Sequence, residues 1–346
     1  MTTAGPRTAT DQPAVPAAPA PHTRGRERAA ALAQRHGALG VLLLLVAAAS
    51  LVFRDFASFG NLTGIAIDSS FGVIVALGMT FVIISGGIDL SVGSVFALGG
   101  VLAAWASQYG MVPALALPLL VCGLFGLAQG VIIARTGLAP FIVTLAGLLG
   151  ARGLLLALTH EGSTTYLVPR GSALLRLGRG TLFGIGWPVW LAVGLCLLGG
   201  VLLQRTRYGQ AVFAVGGSAE AAVLMGLPVA RVRMLTYTLS GLLAGFAGAL
   251  NAARLGSGVT ILGLGMELDA IAAVVIGGTL LVGGAGSVSG TLCGVLLLGV
   301  IQNVINQIGS LNSSYQSVVS GAFLVVVVVA QTYLSRGRPQ WARDGR

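Results

Sequence analysis

Apolar residues fall in long runs along this chain, broken by short polar or glycine-rich interruptions. Measured against the ~20 residues that cross a bilayer, ten runs qualify: 37–53, 61–85, 91–107, 112–134, 139–159, 187–204, 232–253, 268–284, 287–307 and 315–335. An even count puts both termini on one side. The pattern predicts an all-α fold, a polytopic membrane helix bundle of about ten transmembrane helices. Residues 1–36, rich in Pro and Ala with no apolar periodicity, read as a disordered tail. The run 37–53 lies behind that long polar lead and stops at Arg54 and Asp55, so it reads as a span rather than a signal-peptide core. The predicted organisation is a tail over 1–36, a transmembrane domain over 37–335 with its longest basic loop at 205–231, and a second tail over 336–346.

Charge decides the orientation. The N-terminal arginines, Arg135, the quartet Arg205, Arg207, Arg231 and Arg233, and the tail Arg336, Arg338, Arg343 and Arg346 fall on one side, which the positive-inside rule makes the cytoplasm. Both termini are then cytoplasmic. Arg170, Arg176 and Arg179 are the exception, in an outer loop at 160–186 long enough to face an external partner. With 55% hydrophobic and 9% charged residues, the composition is that of an integral membrane protein of the cell membrane, and arginines confined to loops argue against nucleic-acid binding. All 20 basic residues are arginine. Without lysine the chain cannot carry a Walker A phosphate loop. Cys122, Cys196 and Cys293 lie apart inside apolar runs, and His22, His36 and His160 have no ligand spacing, so neither a disulfide framework nor a metal site is expected. No catalytic set and no cofactor loop can be assembled either.

Glycine, 53 residues, recurs inside spans at the small-xxx-small spacing of close helix contact: Gly126 and Gly130, Gly241 and Gly245, and Gly286, Gly290 and Gly294. A weak echo relates Gly86-Gly87 to Gly277-Gly278, each after an apolar run.

Polar residues inside the spans are the candidate chemistry. Asp89 follows the helix-breaking Gly86-Gly87 pair; it reads as the cap of the next helix or as a lining or gate on a solute path. Arg152 lies inside the fifth span and needs a partner or water. Asp68 on the second span sits at nearly the same expected depth, so the two are expected to pair. Gln302, Asn303, Asn306 and Gln307 crowd the ninth span and Asn251 ends the seventh; such amides either line a path for hydroxylated solutes or tie helices together. Glu267 and Asp269, at the expected outer start of the eighth span, either meet an external partner or are solvated.

In the basic loop, Ser218 to Pro228 spells a short helix. Ser218 can cap it, Glu220 suits its positive N-terminus, Ala221 and Ala222 offer a small face, and Gly226 and Pro228 end it. Barely two turns long, it must dock on its own protein or on a partner to persist.

From about Asn61 to Tyr333 the chain resembles the membrane-spanning permease subunits of ATP-binding-cassette importers, the branch that includes ribose, xylose and other monosaccharide permeases. The most specific words run from Ala76 through Ser85-Gly86-Gly87-Ile88-Asp89-Leu90-Ser91 to Ser94; Phe141 to Leu145, Ala151 to Gly153, Arg207 to Gln210 and Ala214 to Gly217 agree. The resemblance implies that the Ser218 helix is the coupling helix docking on an ATPase subunit, its EAAxxxG word met by Glu220, Ala221, Ala222 and Gly226. Ser218 stands where the sugar branch usually has Asn, and Met225 where it often has Ser. It further implies import of a pentose, hexose or related polyol delivered by an extracytoplasmic sugar-binding protein, through a path formed with a second permease copy or a paralogue. ATP hydrolysis then belongs to a separate subunit. The rival reading is an ATP-independent secondary transporter or facilitator. Such carriers usually need intramembrane acids, for which Asp68 and Asp89 alone qualify on the sequence.

Overall fold

The computed structural model describes residues 21–308 and, beyond them, positions 318, 321, 322, 325 and 329. Residues 1–20, the tail 336–346 and all but those few positions of the tenth expected span lie outside the described residues. Among the described residues the chain is all-α apart from one short hairpin, and six helical segments are long and apolar enough to cross a membrane.

The helices follow the apolar runs with three differences. Helix α1 (Pro21–Val52) begins well before 37, because residues 26–35 are strong helix formers such as Ala, Arg, Glu, Leu and Gln; residues 21–36 are therefore helical where composition predicts disorder. Helices α2 (Phe59–Ile84), α3 (Val92–Ala106), α4 (Met111–Thr136), α5 (Pro140–Leu158) and α7 (Trp187–Arg205) match expected spans. The loop before α7 holds α6 (Ala173–Arg179) and a hairpin, β1 (Thr181–Leu182) with β2 (Ile185–Gly186), whose turn sets both Phe183 (φ 53°) and Gly184 (φ 79°) in the left-handed region. The basic loop folds as α8 (Arg207–Gly217) and α9 (Ala219–Leu224). Helix α10 (Val229–Leu255) follows, and the expected eighth span shrinks to α11 (Met266–Ile276) before α12 (Val288–Ile308).

Helix α10 is the centre of the bundle, packed on α4, α3 and α2. Lipid is as apolar as leucine, so burial alone cannot drive this association; close packing must. Glycine supplies the closeness. Gly126 and Gly241 face each other across the α4–α10 contact, Gly99 on α3 lies against the Gly245 backbone, and Gly245 itself faces Cys122 and Pro118 on α4, with no room for a Cβ at any of these glycines.

With the starts of α2 and α7 taken as the upper end of the bundle, α11 is short because the chain re-enters. After Gly256 ends α10, residues 257–265 turn back down along α3, Gly258 lying against Val101 and Gly263 against Gly93. Helix α11 thus starts in the interior.

At the lower end, α2 stops at Ile84 and α11 at Ile276, and the two interruptions meet. Gly86 (φ 82°) and Gly283 (φ 91°) take backbone conformations that a side chain would strain. The Gly284 N–H donates to the Ile84 carbonyl at 2.9 Å, and Gly216, at the end of α8, sits against both groups. The paired glycine words of the sequence therefore mark two helix breaks that touch.

Candidate functional site

A cavity of about 450 Å³ lies between α2, α10, α11, α12 and the re-entrant segment. That is within the ~300–1,000 Å³ of small-molecule sites. Its rim residues Asp68, Leu264, Asp269, Gln302 and Asn306 are exposed, while Val75, Phe96, Ala273 and Val295 at its floor are buried. Below the floor the hydroxyls of Thr80 and Thr291 bond at 2.7 Å amid fully buried Met79, Phe81 and Ile83, so the cavity is blind toward the lower end. Two lining groups have no hydrogen-bond partner: the Oγ of Ser69, a residue only 8% exposed, and the Oδ1 of Asn251. Buried polar atoms are nearly always bonded, and exceptions at a cavity wall point to a guest.

The amides of α12 divide by helical face. Asn303 exchanges two hydrogen bonds with Asn61, at 2.9 and 3.2 Å, and accepts one from Gln307 at 2.9 Å, tying α12 to the top of α2. Gln302 and Asn306 point from the rim. Asn303 also borders the cavity, so only Gln307 of the four is purely structural.

Asp89 does not line the cavity. It is 1% exposed and accepts from the Ser91 N–H (3.0 Å), the Ser91 hydroxyl (2.6 Å) and, across to α10, the Ser240 hydroxyl (2.8 Å). Of its two readings the structure gives the structural one, but not as a helix cap: the N-cap of α3 is Ser91, without a side-chain bond, and Asp89 holds the turn before it and clamps the α2–α3 break to α10.

Asp68 and Arg152 are not brought together. The Arg152 guanidinium donates to the carbonyls of Thr260 (2.6 Å) and Leu262 (3.3 Å), and the carboxylate acting on it electrostatically is Glu267. Matching depth along straight spans missed the re-entrant segment, which carries both carbonyls and Glu267 to Arg152. The charge acting on Asp68 is Arg254 instead. Glu267 and Asp269 begin a helix inside the bundle, not at its outer surface, and Asp269 joins the cavity rim. The sequence does carry a sign of this cavity that composition alone hides: Asp68-Ser69-Ser70 is a polar triplet in an otherwise apolar run.

At the lower end, helix α9 stands as spelled. The Ser218 hydroxyl accepts from the Ala221 N–H at 3.2 Å, exposed Glu220 occupies the first turn, and Gly226 (φ 76°) ends the helix. The two alanines part company: Ala222 is fully buried and Ala221 exposed, so they form no common face. Val223, Leu224 and Met225 instead present an apolar tip, Leu224 at 89% exposure. Helix α8 links this tip to the glycine junction through Gly216, and is anchored by the Tyr208 hydroxyl bonded to that of Thr236 at 3.1 Å.

Residues 61–328 match the family model described as branched-chain amino acid transport system / permease component. The ribose import permease protein of Haemophilus influenzae is 37% identical over 296 residues, 85% of this chain and 91% of that one. Its counterpart in Bacillus subtilis is 38% identical over 298 residues, covering 86% and 92%. The L-arabinose ABC transporter permease protein of Azospirillum brasilense is 36% identical over 304 residues, covering 87% and 88%. No solved structure gives a significant match.

Proposed function

Because the chain belongs to this family of transport permeases, as a ribose/xylose-type ABC importer subunit, we propose that it carries a monosaccharide or related polyol inward through the blind cavity, driven by a separate ATPase subunit. The observation that carries this reading is the division of labour between the two ends: a polar cavity open at one, and an apolar helix tip at the other, joined by α8 and the glycine junction. Gln302, Asn303, Asn306 and Asn251 supply the hydrogen-bonding groups a hydroxylated solute requires. The upper end is the outer face and the lower end the cytoplasmic one, with both termini cytoplasmic and ten spans in all, as the arginine distribution supports. A sugar-binding protein delivers solute to the upper end; the residues of 160–186 border it. A second permease copy or a paralogue completes the path.

In this reading Ser218, Glu220, Ala221, Ala222 and Gly226 form the coupling helix, with Ser218 capping, Ala222 seating it on the permease and Leu224 reaching into the ATPase cleft. Closure of the ATPase subunits on ATP pulls α9 and α8, and Gly216 passes that displacement to the carbonyl of Ile84 and so to the closure beneath the cavity. Residues 37–335 are the transmembrane domain and 205–231 the coupling loop. An ATP-independent carrier is the reading this displaces; it gives α9 nothing to do.

The test is uptake of ribose and L-arabinose by the assembled transporter. Glu220→Arg and Gly226→Trp should each abolish uptake and the copurification of a protein with a Walker A motif, while the permease stays in the membrane at the wild-type level. Uptake that survives both, or that proceeds in vesicles free of ATP, sinks the coupling role.

A further inference from the structure

Two carboxylates, Asp68 on α2 and Asp269 in the first turn of α11, stand at the rim of a cavity that no lysine or arginine lines among the described residues. Of the nearby cations, Arg254 acts on Asp68 from α10 without lining the cavity, and two others are committed elsewhere. Arg152 is turned onto the carbonyls of Thr260 and Leu262, and Arg179 donates to those of Arg254 and Leu255 outside the cavity. Deeper in, the unpartnered Ser69 Oγ and Asn251 Oδ1 await a guest. An ionised carboxylate only accepts hydrogen bonds, and the Oδ1 of Asn251 only accepts as well. The wall is thus negative and rich in acceptors.

Resting on the transport reading above, we propose that this cavity is a charge filter: Asp68 and Asp269 admit neutral, donor-rich polyhydroxylated solutes and turn away sugar phosphates and sugar acids. A hydroxylated ring offers a donor to each carboxylate, to Asn251 and to Ser69. A phosphate or carboxylate group brings acceptors to acceptors and like charge to like charge, and a cavity walled by protein focuses that repulsion more than open water does. Selection by charge here acts after any selection by a delivering protein, on the permease's own side of the hand-over.

The filter can be read without transport. In the full-length chain, assembled with its transporter and with Cys122, Cys196 and Cys293 replaced by serine, Asn306→Cys places one thiol at the rim. Its reaction rates with a trimethylammonium and a sulfonate methanethiosulfonate reagent are compared, each relative to the reagent's rate with a free thiol. The cationic reagent should be favoured about tenfold or more. Asp68→Asn with Asp269→Asn should bring the ratio close to that of Phe183→Cys on the exposed hairpin, and each single change should bring it part of the way. A ratio unchanged by the double substitution, or no preference in the parent, overturns the filter, as does a thiol that reacts with neither reagent. Uptake of neutral sugar is measured alongside. Absence of uptake in the wild-type transporter, which keeps Asn306, would remove the transport reading while leaving the labelling ratio interpretable, so the two failures are distinct.

Discussion

Asp89 shows what a single residue does in this bundle. Its carboxylate is withdrawn from solvent, yet three donors from two segments meet it. Truncation leaves those donors unmet in the interior, at about 1 to 3 kcal/mol for each group that water cannot reach. Asp89→Ala should therefore lower stability by about 2 to 4 kcal/mol, read as a fall in the unfolding midpoint in detergent, and Asp89→Asn by less, since its amide oxygen still accepts. A structural role at the turn is legible in the sequence because a carboxylate after a glycine pair and before an apolar run is a local signal, although the residue that caps α3 is Ser91. The reach to Ser240 is not, because it joins residues far apart in the chain. The pairing of Asp68 with Arg152 fails for the same reason: straight helices set their depths, and the groups that serve Arg152 arrive on a segment between two expected spans.

Among elements, the breaks matter more than the helices. Helices α2 and α11 both stop short at the lower end, and α8 fills the space between their ends with Gly216. A methyl group at Gly216 would meet the Ile84 carbonyl and the Gly284 amide, both held by their own hydrogen bond, whereas Gly217 beside it faces open space. Gly216→Ala should cost about 1 to 3 kcal/mol by overpacking, and Gly217→Ala should be neutral within about 0.5 kcal/mol, the two compared by thermal unfolding under the same conditions. Helix existence was legible from hydrophobic run length wherever a span is continuous. It was not legible where the chain turns back inside the bundle, since Gly256 to Gly265 keeps the hydropathy of its surroundings while abandoning their geometry.

At the scale of the whole molecule, the two ends carry different surfaces. Phe183 on the hairpin is 85% exposed at one and Leu224 on α9 is 89% exposed at the other. In intact cells with the native cysteines removed, Phe183→Cys should react with an impermeant thiol reagent from outside. Leu224→Cys should react only after permeabilisation, and should be shielded when the ATPase subunit is present. Labelling of both from outside contradicts the orientation derived from the arginines. The clamp between Asp89 and Ser240 has a further consequence, for synthesis. The ribosome delivers Asp89 to the membrane 151 residues before the serine on α10 that completes its shell. Until then only the amide and hydroxyl of Ser91, two residues along, are there to meet the carboxylate. The order of synthesis thus sets the order of closure: the turn between α2 and α3 makes its local bonds first, and its link to the centre of the bundle closes last.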